Sequence, residues 1–390
     1  MALRRERADV LIVGAGPAGS FLAYLLARAG CHTTIIDKAT FPRDKVCGGG
    51  ISKKTLDLLP FDISPLVHRR IRSAFLTYQN RDTVVKDLDT LAGAAVVRAE
   101  FDHFLLQHAR DAGAAFIDNT AVLRIEPTGD GVRVVTGRDV FSARYVVGAD
   151  GVFSAVRQSV FGRDLVTYVP AVEALVSVTP DQTARIGDRV LFDFGGMPRG
   201  YGWIFPKKDH LNVGVFSIFR TRSINEHLAA FMRRYEVLTS ARHVRRLGFS
   251  IPIRNRRREF ERDWVLLVGD AAGFAESFYG EGIYFALKSA RAAAEALITS
   301  FGRPHERMYT ELVKGQIQPD LSYSELNARL FFAFQKFGFY HMVRSRRVSD
   351  DFAGLIVGDV SHKECFYKTV LTGPSWLFSR QLPVYQECPL

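Results

Sequence analysis

Residues 8–37 read ADVLIVGAGPAGSFLAYLLARAGCHTTIID. Val10 to Val13 are apolar and β-prone, a run short enough to be a strand buried on both faces. Gly14, Gly16 and Gly19 follow as G-x-G-x-x-G. The first glycine permits a tight turn, the second lets backbone approach a pyrophosphate, and the third lets the helix pack on the strand. A helix from about Pro17 to Ala29 then aims its unpaired N–H groups and positive dipole end at that pyrophosphate. His32 to Ile36 form the next strand, closed by Asp37, 23 residues after Gly14. A carboxylate at that spacing accepts ribose hydroxyls and repels a 2′-phosphate. The expected ligand is an adenosine diphosphate lacking that phosphate, FAD or NAD. A lone glycine motif is weak evidence. Here strand, helix and acidic residue all stand where dinucleotide binding needs them.

The chain of 390 residues has room for one large or two modest domains. A hydrophobic content of 47% with 24% charged residues is that of a globular protein. No apolar run reaches the length of about 18 residues that a membrane span needs. The start, MALRRERAD, runs straight into the first strand and leaves no room for a secretory signal. Cys31, Cys47, Cys365 and Cys388 show neither metal spacing nor C-x-x-C, so they read as thiols of a reducing cytosol. The net charge of +11 is either a solvated basic surface or the mark of an anionic partner. No nucleic-acid module is visible, so an anionic membrane surface outranks nucleic acid. The expected localisation is cytoplasmic, with peripheral attachment to the inner face of the membrane.

Further along, KATFPRDKVCGGGIS (38–52) reads as a loop, because a proline and three consecutive glycines oppose regular structure. Residues 72–88 alternate like strands. Residues 96–114 read as a helix closed by Gly113, with Phe101, Phe104, Leu105 and His108 on one face. Residues 115–147 hold strand-like runs, with a hairpin turn at Gly129-Asp130-Gly131. Runs at 171–178, 189–194, 201–205 and 211–218 read as a largely antiparallel sheet, distinct from the nucleotide-binding layer. DWVLLVGDAAGF returns to a buried strand and glycine turn, and GIYFALKSARAAAEALITS to a helix.

Four stretches narrow the dinucleotide to FAD. Tyr145 to Gly151, with Ser154 and Arg157, is a strand ending in an acidic turn; a turn carboxylate such as Asp150 more often braces its loop than binds a ligand. Gly269-Asp270-Ala271-Ala272-Gly273 ends a strand with a carboxylate able to accept a sugar-like hydroxyl. Gly280-Glu281-Gly282 opens the helix from Ile283, whose N-terminus can sit at a flavin's pyrimidine edge and stabilise negative charge there. Arg98, ahead of Phe101, can reach the phosphate or ribityl region.

FPRDKVCGGGIS (41–52), YGWIFPK (201–207) and VGDAAGFAESFYGEGIYFALKSA (268–290) together resemble the flavoprotein reductases and hydroxylases of the p-hydroxybenzoate hydroxylase fold. Within that group the chain is most similar to the geranylgeranyl reductase family, over roughly residues 8–300. The resemblance implies reduction of isolated C=C bonds in a polyprenyl chain, on substrates such as archaeal-type glycerolipids, menaquinone side chains or the chlorophyll tail. One departure stands out: a proline usually precedes the Gly-Glu-Gly turn, and here that stretch is Glu276-Ser277-Phe278-Tyr279. The resemblance implies that Asp270 contacts the ribityl chain and that Gly280 to Gly282 line the isoalloxazine. It also puts the loop around Cys47 beside the flavin.

The candidate cofactor-binding residues are therefore Gly14, Gly16, Pro17, Ala18 and Gly19; Asp37, Lys38, Arg43, Cys47, Gly48 and Gly49; Arg98, Val122 and Asp150; and Gly269, Asp270, Gly280, Gly282 and Ile283. The candidate catalytic residues are Cys47, Tyr201 and Trp203, with no metal. Tyr201, Trp203 and Phe205 alternate and so share a face, either as core or as the wall of an apolar substrate cavity. Cys47 is read as orienting the alkene or relaying its proton; the alternative is a small residue that merely fits the loop. Residues 328–347, ARLFFAFQKFGFYHMVRSRR, read as a helix, either packed on the flavin domain or lying at a lipid interface. With no second dinucleotide motif, the electron donor is a transiently bound NAD(P)H or a reduced protein. A monooxygenase or halogenase on the same scaffold is the rival activity, and a flavin-bearing lipid-binding protein without turnover is the rival class.

The fold class expected is α/β, α+β overall. A Rossmann-like FAD-binding domain comes in three pieces (1–71, 95–164 and 261–302). An antiparallel-sheet substrate domain (72–94 and 165–260) is inserted into it, and a mostly helical C-terminal region (303–390) follows.

Overall fold

A computed structural model describes residues 3–371, apart from 5–6, 89–90, 163–164, 220, 240–243, 257 and 300–306. Cys388 and the ends of the helical C-terminal region, 303–306 and 372–390, lie outside the described residues. The chain forms two compact units. The first comprises residues 1–45, 99–168 and 252–321; the second comprises 46–98, 169–251 and 322–390.

In the first unit, Ala115–Ile117, Thr33–Ile36, Ala8–Val13 and Asp139–Gly148 run side by side as parallel strands. Val10, Ile12 and Val146 are completely buried, as a run without polar alternation requires. Asp139–Gly148 is long enough to take two partners on its other side. Its first half pairs antiparallel with Gly131–Thr136, and its second half pairs parallel with Val265–Leu267. The helices Pro17–Arg28 and Ile283–Thr299 approach closely at Gly269, where an added Cβ would lie 3.1 Å from Ala18 and 3.4 Å from Ala286.

In the second unit, the strand Val166–Ser177 from Val169 onward, His210–Ser217, Gly200–Pro206 and Arg189–Phe194 pair antiparallel. Ser73–Tyr78 joins Arg189–Phe194 in parallel, and Thr83–Asp87 closes that edge. Strand alternation divides the sheet's chemistry. Leu191, Ile204, Val213 and Val215 face a core with Ile186, Leu228 and Phe231 from two helices. Phe192, Tyr201, Trp203, Phe205 and Phe216 pack among themselves on the opposite face.

The units divide the chain differently from the expected domains. Residues 46–71 and 95–98 cluster with the second unit, because Gly50–Ser52 and Arg69–Ile71 both pair with Gly93–Ala95 in a small sheet of their own. The end of the loop 38–52 is therefore a strand. The helical C-terminal region is shared, residues up to 321 going with the first unit and the rest with the second. Residues 328–347 are not one helix: Gln318–Ala333 and Gln335–Arg344 meet at Phe334, whose backbone leaves the helical region. Phe331 packs on Phe194 and Phe339 on Tyr78, all within the second unit, while Phe334 and Phe337 are exposed. The strand Val244–Asn255 went unrecognised in the sequence, its arginines and glycine hiding the alternation. Among the described residues no helix is long and apolar enough to cross a membrane.

Candidate functional site

The glycine turn has the geometry its spacing predicts. Gly14 holds φ +108°, and a Cβ there would lie 2.3 Å from the Ala149 carbonyl oxygen. A Cβ on Gly19 would lie 1.9 Å from the Gly14 oxygen, so strand and helix touch backbone to backbone. At Gly16, by contrast, an added Cβ meets only Arg43 Nη2, at 3.5 Å. Gly16 caps the helix Pro17–Arg28 with no side-chain hydrogen bond, so no side chain among the described residues occupies its N-terminal N–H groups. Arg43 Nη2 pairs with the fully buried Asp102 at 3.1 Å, while Nη1 is buried with no hydrogen-bond partner among the described residues. A guanidinium close to a helix N-terminus that lacks a side-chain cap suits the pyrophosphate of FAD.

Asp37 is buried, and both its oxygens are engaged. Ala15 N–H donates to Oδ2 at 2.7 Å and Ala39 N–H to Oδ1 at 2.8 Å. A carboxylate offers about four lone-pair sites, so acceptor capacity remains for ribose hydroxyls. Lys38 is exposed, and Val122, half-buried, begins the strand Val122–Thr128. Arg98 is the first residue of the helix Arg98–Asp111 and clusters with the second unit.

Asp150 braces its own loop. Its carboxylate accepts from Ser154 Oγ at 2.5 Å, Ala155 N–H at 2.7 Å and Val156 N–H at 3.2 Å. Burial pushes this carboxyl up from its ordinary range, with those hydrogen bonds opposing the shift. The fully buried Arg157 donates to the carbonyls of Val152 and Ala271, both at 2.7 Å, and so ties this loop to the helix Gly269–Ala272. Asp270 is half-buried on that helix, and its Oδ1 would lie 3.3 Å from a Cβ on Gly282. Gly280 holds φ +70°, and Gly282 accepts the Ala286 N–H at 2.8 Å to start the helix that Ile283 begins. The stretch ahead of the Gly-Glu-Gly turn, without the proline, is held by side-chain hydrogen bonds. The fully buried Glu276 accepts the N–H groups of Phe278 and, at 2.7 Å, Tyr279, while Ser277 Oγ donates to the Ile253 carbonyl at 2.7 Å.

In the second unit the structure brings Cys47, Gly48 and Gly49 onto the aromatic face. A Cβ on Gly48 would lie 2.8 Å from the Phe205 ring and 3.3 Å from Trp203 Nε1, so only glycine lets the loop lie this close. Tyr201 and Trp203 are 5% and 7% exposed, which makes their face buried rather than open. Three residues absent from the candidate set complete this cluster: Glu173, Asn212 and Lys207. Each is at most 3% exposed. Glu173 and Asn212 are single polar residues inside apolar strand runs, AVEALV and LNVGVF. Such an interruption was the available signal.

Residues 7–182 match the model of the FAD binding domain. The geranylgeranyl diphosphate reductase of Rhodobacter capsulatus is 32% identical over 299 residues, 74% of each chain. The menaquinone reductase of Mycolicibacterium smegmatis is 31% identical over 324 residues, 76% of this chain and 77% of its own. This chain belongs to the geranylgeranyl reductase family. Like the rest of the family it is an FAD-dependent oxidoreductase. A geranylgeranyl bacteriochlorophyll reductase-like protein from Thermoplasma acidophilum shares the family fold, with a TM-score of 0.79 at 20% identity over 96% of this chain and 98% of that one. The expected architecture, an FAD-binding unit interrupted by a sheet unit and followed by helices, is the one observed.

Proposed function

We propose that this protein saturates isolated C=C bonds in a polyprenyl chain carried on a lipid or quinone. The observation that carries the reading is the aromatic face of the second unit, on which the Cys47–Gly49 loop lies. Such a face suits an unfunctionalised hydrocarbon chain. Support also comes from the relatives, whose names specify geranylgeranyl diphosphate and menaquinone.

Gly16, Arg43 and the first turn of the helix Pro17–Arg28 would hold the FAD pyrophosphate, and Asp37 the ribose. Asp270 and the Gly280–Gly282 turn would hold the ribityl chain and ring. Reduced FAD, when bound, supplies a hydride equivalent to one alkene carbon. An isolated alkene builds no oxyanion, so the protein's share is orientation and exclusion of water. Tyr201, Trp203 and Phe205 would give the chain its apolar wall. Cys47, from a loop with fixed backbone, would orient the alkene or relay the proton to the adjacent carbon. NAD(P)H or a reduced protein would recharge the flavin. A chain-like lipid substrate and the charge of +11 support peripheral attachment to an anionic membrane.

The test is anaerobic incubation of the reduced holoprotein with geranylgeranyl diphosphate and, separately, with menaquinone. Mass spectrometry should show a gain of H2 per saturated bond in at least one of them. No saturation of either, together with oxygen consumption that tracks hydroxylation or halogenation of an aromatic compound, would transfer the protein to the monooxygenase reading.

A further inference from the structure

We infer that Glu173 and Asn212 are positioning residues that join Trp203 to the Cys47 loop as one hydrogen-bonded unit, which Lys207 clamps from the carbonyl side. The inference rests on the reading that Cys47 serves alkene reduction. Its geometry stands apart from that reading.

The orientation of the Asn212 amide follows from one residue. An indole N–H can only donate. Trp203 Nε1 donates to Asn212 Oδ1 at 2.8 Å, which leaves the Asn212 amide nitrogen facing the other way. That nitrogen donates to Glu173 Oε2 at 3.1 Å and to the Cys47 carbonyl at 3.3 Å. The Cys47 N–H donates to Glu173 Oε1 at 3.3 Å. Glu173 must therefore accept at both oxygens, as a carboxylate does and an amide does not. On the far side of the loop, Lys207 Nζ donates to the carbonyls of Gly48 at 2.8 Å and Gly49 at 3.3 Å. The Gly49 N–H in turn donates to Cys47 Sγ at 3.4 Å. Every peptide group flanking the sulfur is thus held by a buried polar side chain or by the sulfur itself. Three polar side chains on a face otherwise aromatic are costly to bury, and here each is spent on the same loop. The loop bears the thiol, and the network's other end bears the indole that lines the proposed chain path. The position of Cys47 is thereby coupled to that of Trp203.

Glu173→Gln breaks the pattern without changing shape. Its amide nitrogen would confront either Asn212 Nδ2 or the Cys47 N–H. Turning Asn212 over to relieve the first clash would set its nitrogen against the indole donor. Asn212→Asp, added to Glu173→Gln, restores three of the four bonds: Trp203 donates to Asp, Gln donates to Asp, and the Cys47 N–H donates to Gln, while the bond to the Cys47 carbonyl is lost.

The experiment measures alkylation of Cys47 by iodoacetamide in the holoprotein, resolved by peptide mass spectrometry, beside turnover of geranylgeranyl diphosphate. Glu173→Gln and Lys207→Met should each change the Cys47 alkylation rate about tenfold and lower kcat about tenfold or more, with KM nearly unchanged. The double variant should recover part of both losses, since the bond to the Cys47 carbonyl stays broken. Should Glu173→Gln fail to fold, Trp203→Phe removes the indole donor along with part of the ring system and should shift Cys47 alkylation in the same direction. Alkylation indistinguishable from wild type in the folded variants, or no recovery in a folded double variant, overturns the inference. If alkylation shifts and recovers as expected while Cys47→Ala turns over at the wild-type rate, the positioning stands and the catalytic reading of Cys47 falls.

Discussion

Arg43 pairs with the buried carboxylate of Asp102 at 3.1 Å and lies over the Phe41 ring, 4.8 Å from its centroid. The ion pair uses Nη2 and leaves Nη1 buried without a partner among the described residues. Arg43 is thereby fixed through one nitrogen and unsatisfied at the other. Arg43→Met should weaken FAD binding about tenfold to a hundredfold, the loss of a charge-assisted hydrogen bond worth about 1.5–3 kcal/mol. It should also lower stability, because Asp102 is left beside an apolar side chain. Arg43→Lys should fold normally and still bind FAD more weakly, since a point charge cannot replace the guanidinium fork. Flavin fluorescence titration measures both; wild-type affinity in Arg43→Met would remove Arg43 from the cofactor site.

Asp37 holds two backbone N–H groups on two oxygens. Asp37→Asn turns one acceptor into a donor facing an N–H. We expect a stability loss of about 1–3 kcal/mol and a lower FAD content after purification. Wild-type protein should be yellow and release FAD in acid. Preference for a 2′-phosphorylated nucleotide over FAD would contradict the ribose assignment.

Trp203 separates wall from scaffold. Trp203→Phe keeps an aromatic ring but leaves Asn212 Oδ1 without its donor, at a cost of about 1–3 kcal/mol. Trp203→Ala should cost about 3–5 kcal/mol by opening a cavity. Among the folded molecules, Trp203→Ala should also slow turnover or move the position of saturation, with FAD content unchanged. Normal turnover and regiochemistry in the surviving folded fraction would reduce Trp203 to packing.

Lys207 predicts an alkaline signature. Burial lowers its pKa from 10.5 to about 8, against the raising influence of Cys47 and Glu173. Between about 8 and 10.5 the unfolded chain holds a proton at this lysine that the folded protein has lost. Stability from this group therefore rises with pH across that window, by about 3 kcal/mol in all, and is flat below it. Lys207→Met should remove the rise. Denaturation midpoints from pH 7 to 10, wild type against variant, measure it; parallel curves would refute the assignment.

Leu326, Leu330, Phe334 and Phe337 are exposed at near-helical spacing, Phe334 and Phe337 at 64% and 61%. If this stripe meets a membrane, Phe334→Ser with Phe337→Ser should reduce vesicle binding tenfold or more, each ring contributing about 1.5–3 kcal/mol when buried. Binding to anionic vesicles should fall with added salt. Equal affinity for neutral and anionic vesicles would leave the basic excess without a membrane role.

The nucleotide-binding half was legible because its signals are local. Strand, glycine turn, helix and Asp37 lie within 30 consecutive residues, and each glycine answers to its nearest backbone neighbours. The aromatic stripe Tyr201-Trp203-Phe205 was legible for the same reason, since alternation alone puts three rings on one face. Residues 46–71 were misassigned because strand pairing with 93–95 leaves no trace in either segment taken singly. The helix expected over 328–347 broke at Phe334 because its composition gives no sign of the backbone change there. Only the tertiary structure decided what surrounds Cys47. Its carbonyl is bonded by an amide 165 residues away. Glu173, Asn212 and Lys207 carry no motif, because what each residue does there depends on sheet register and hydrogen-bond direction. Those are set when strands distant in sequence pair, and they have no counterpart in the order of residues along the chain.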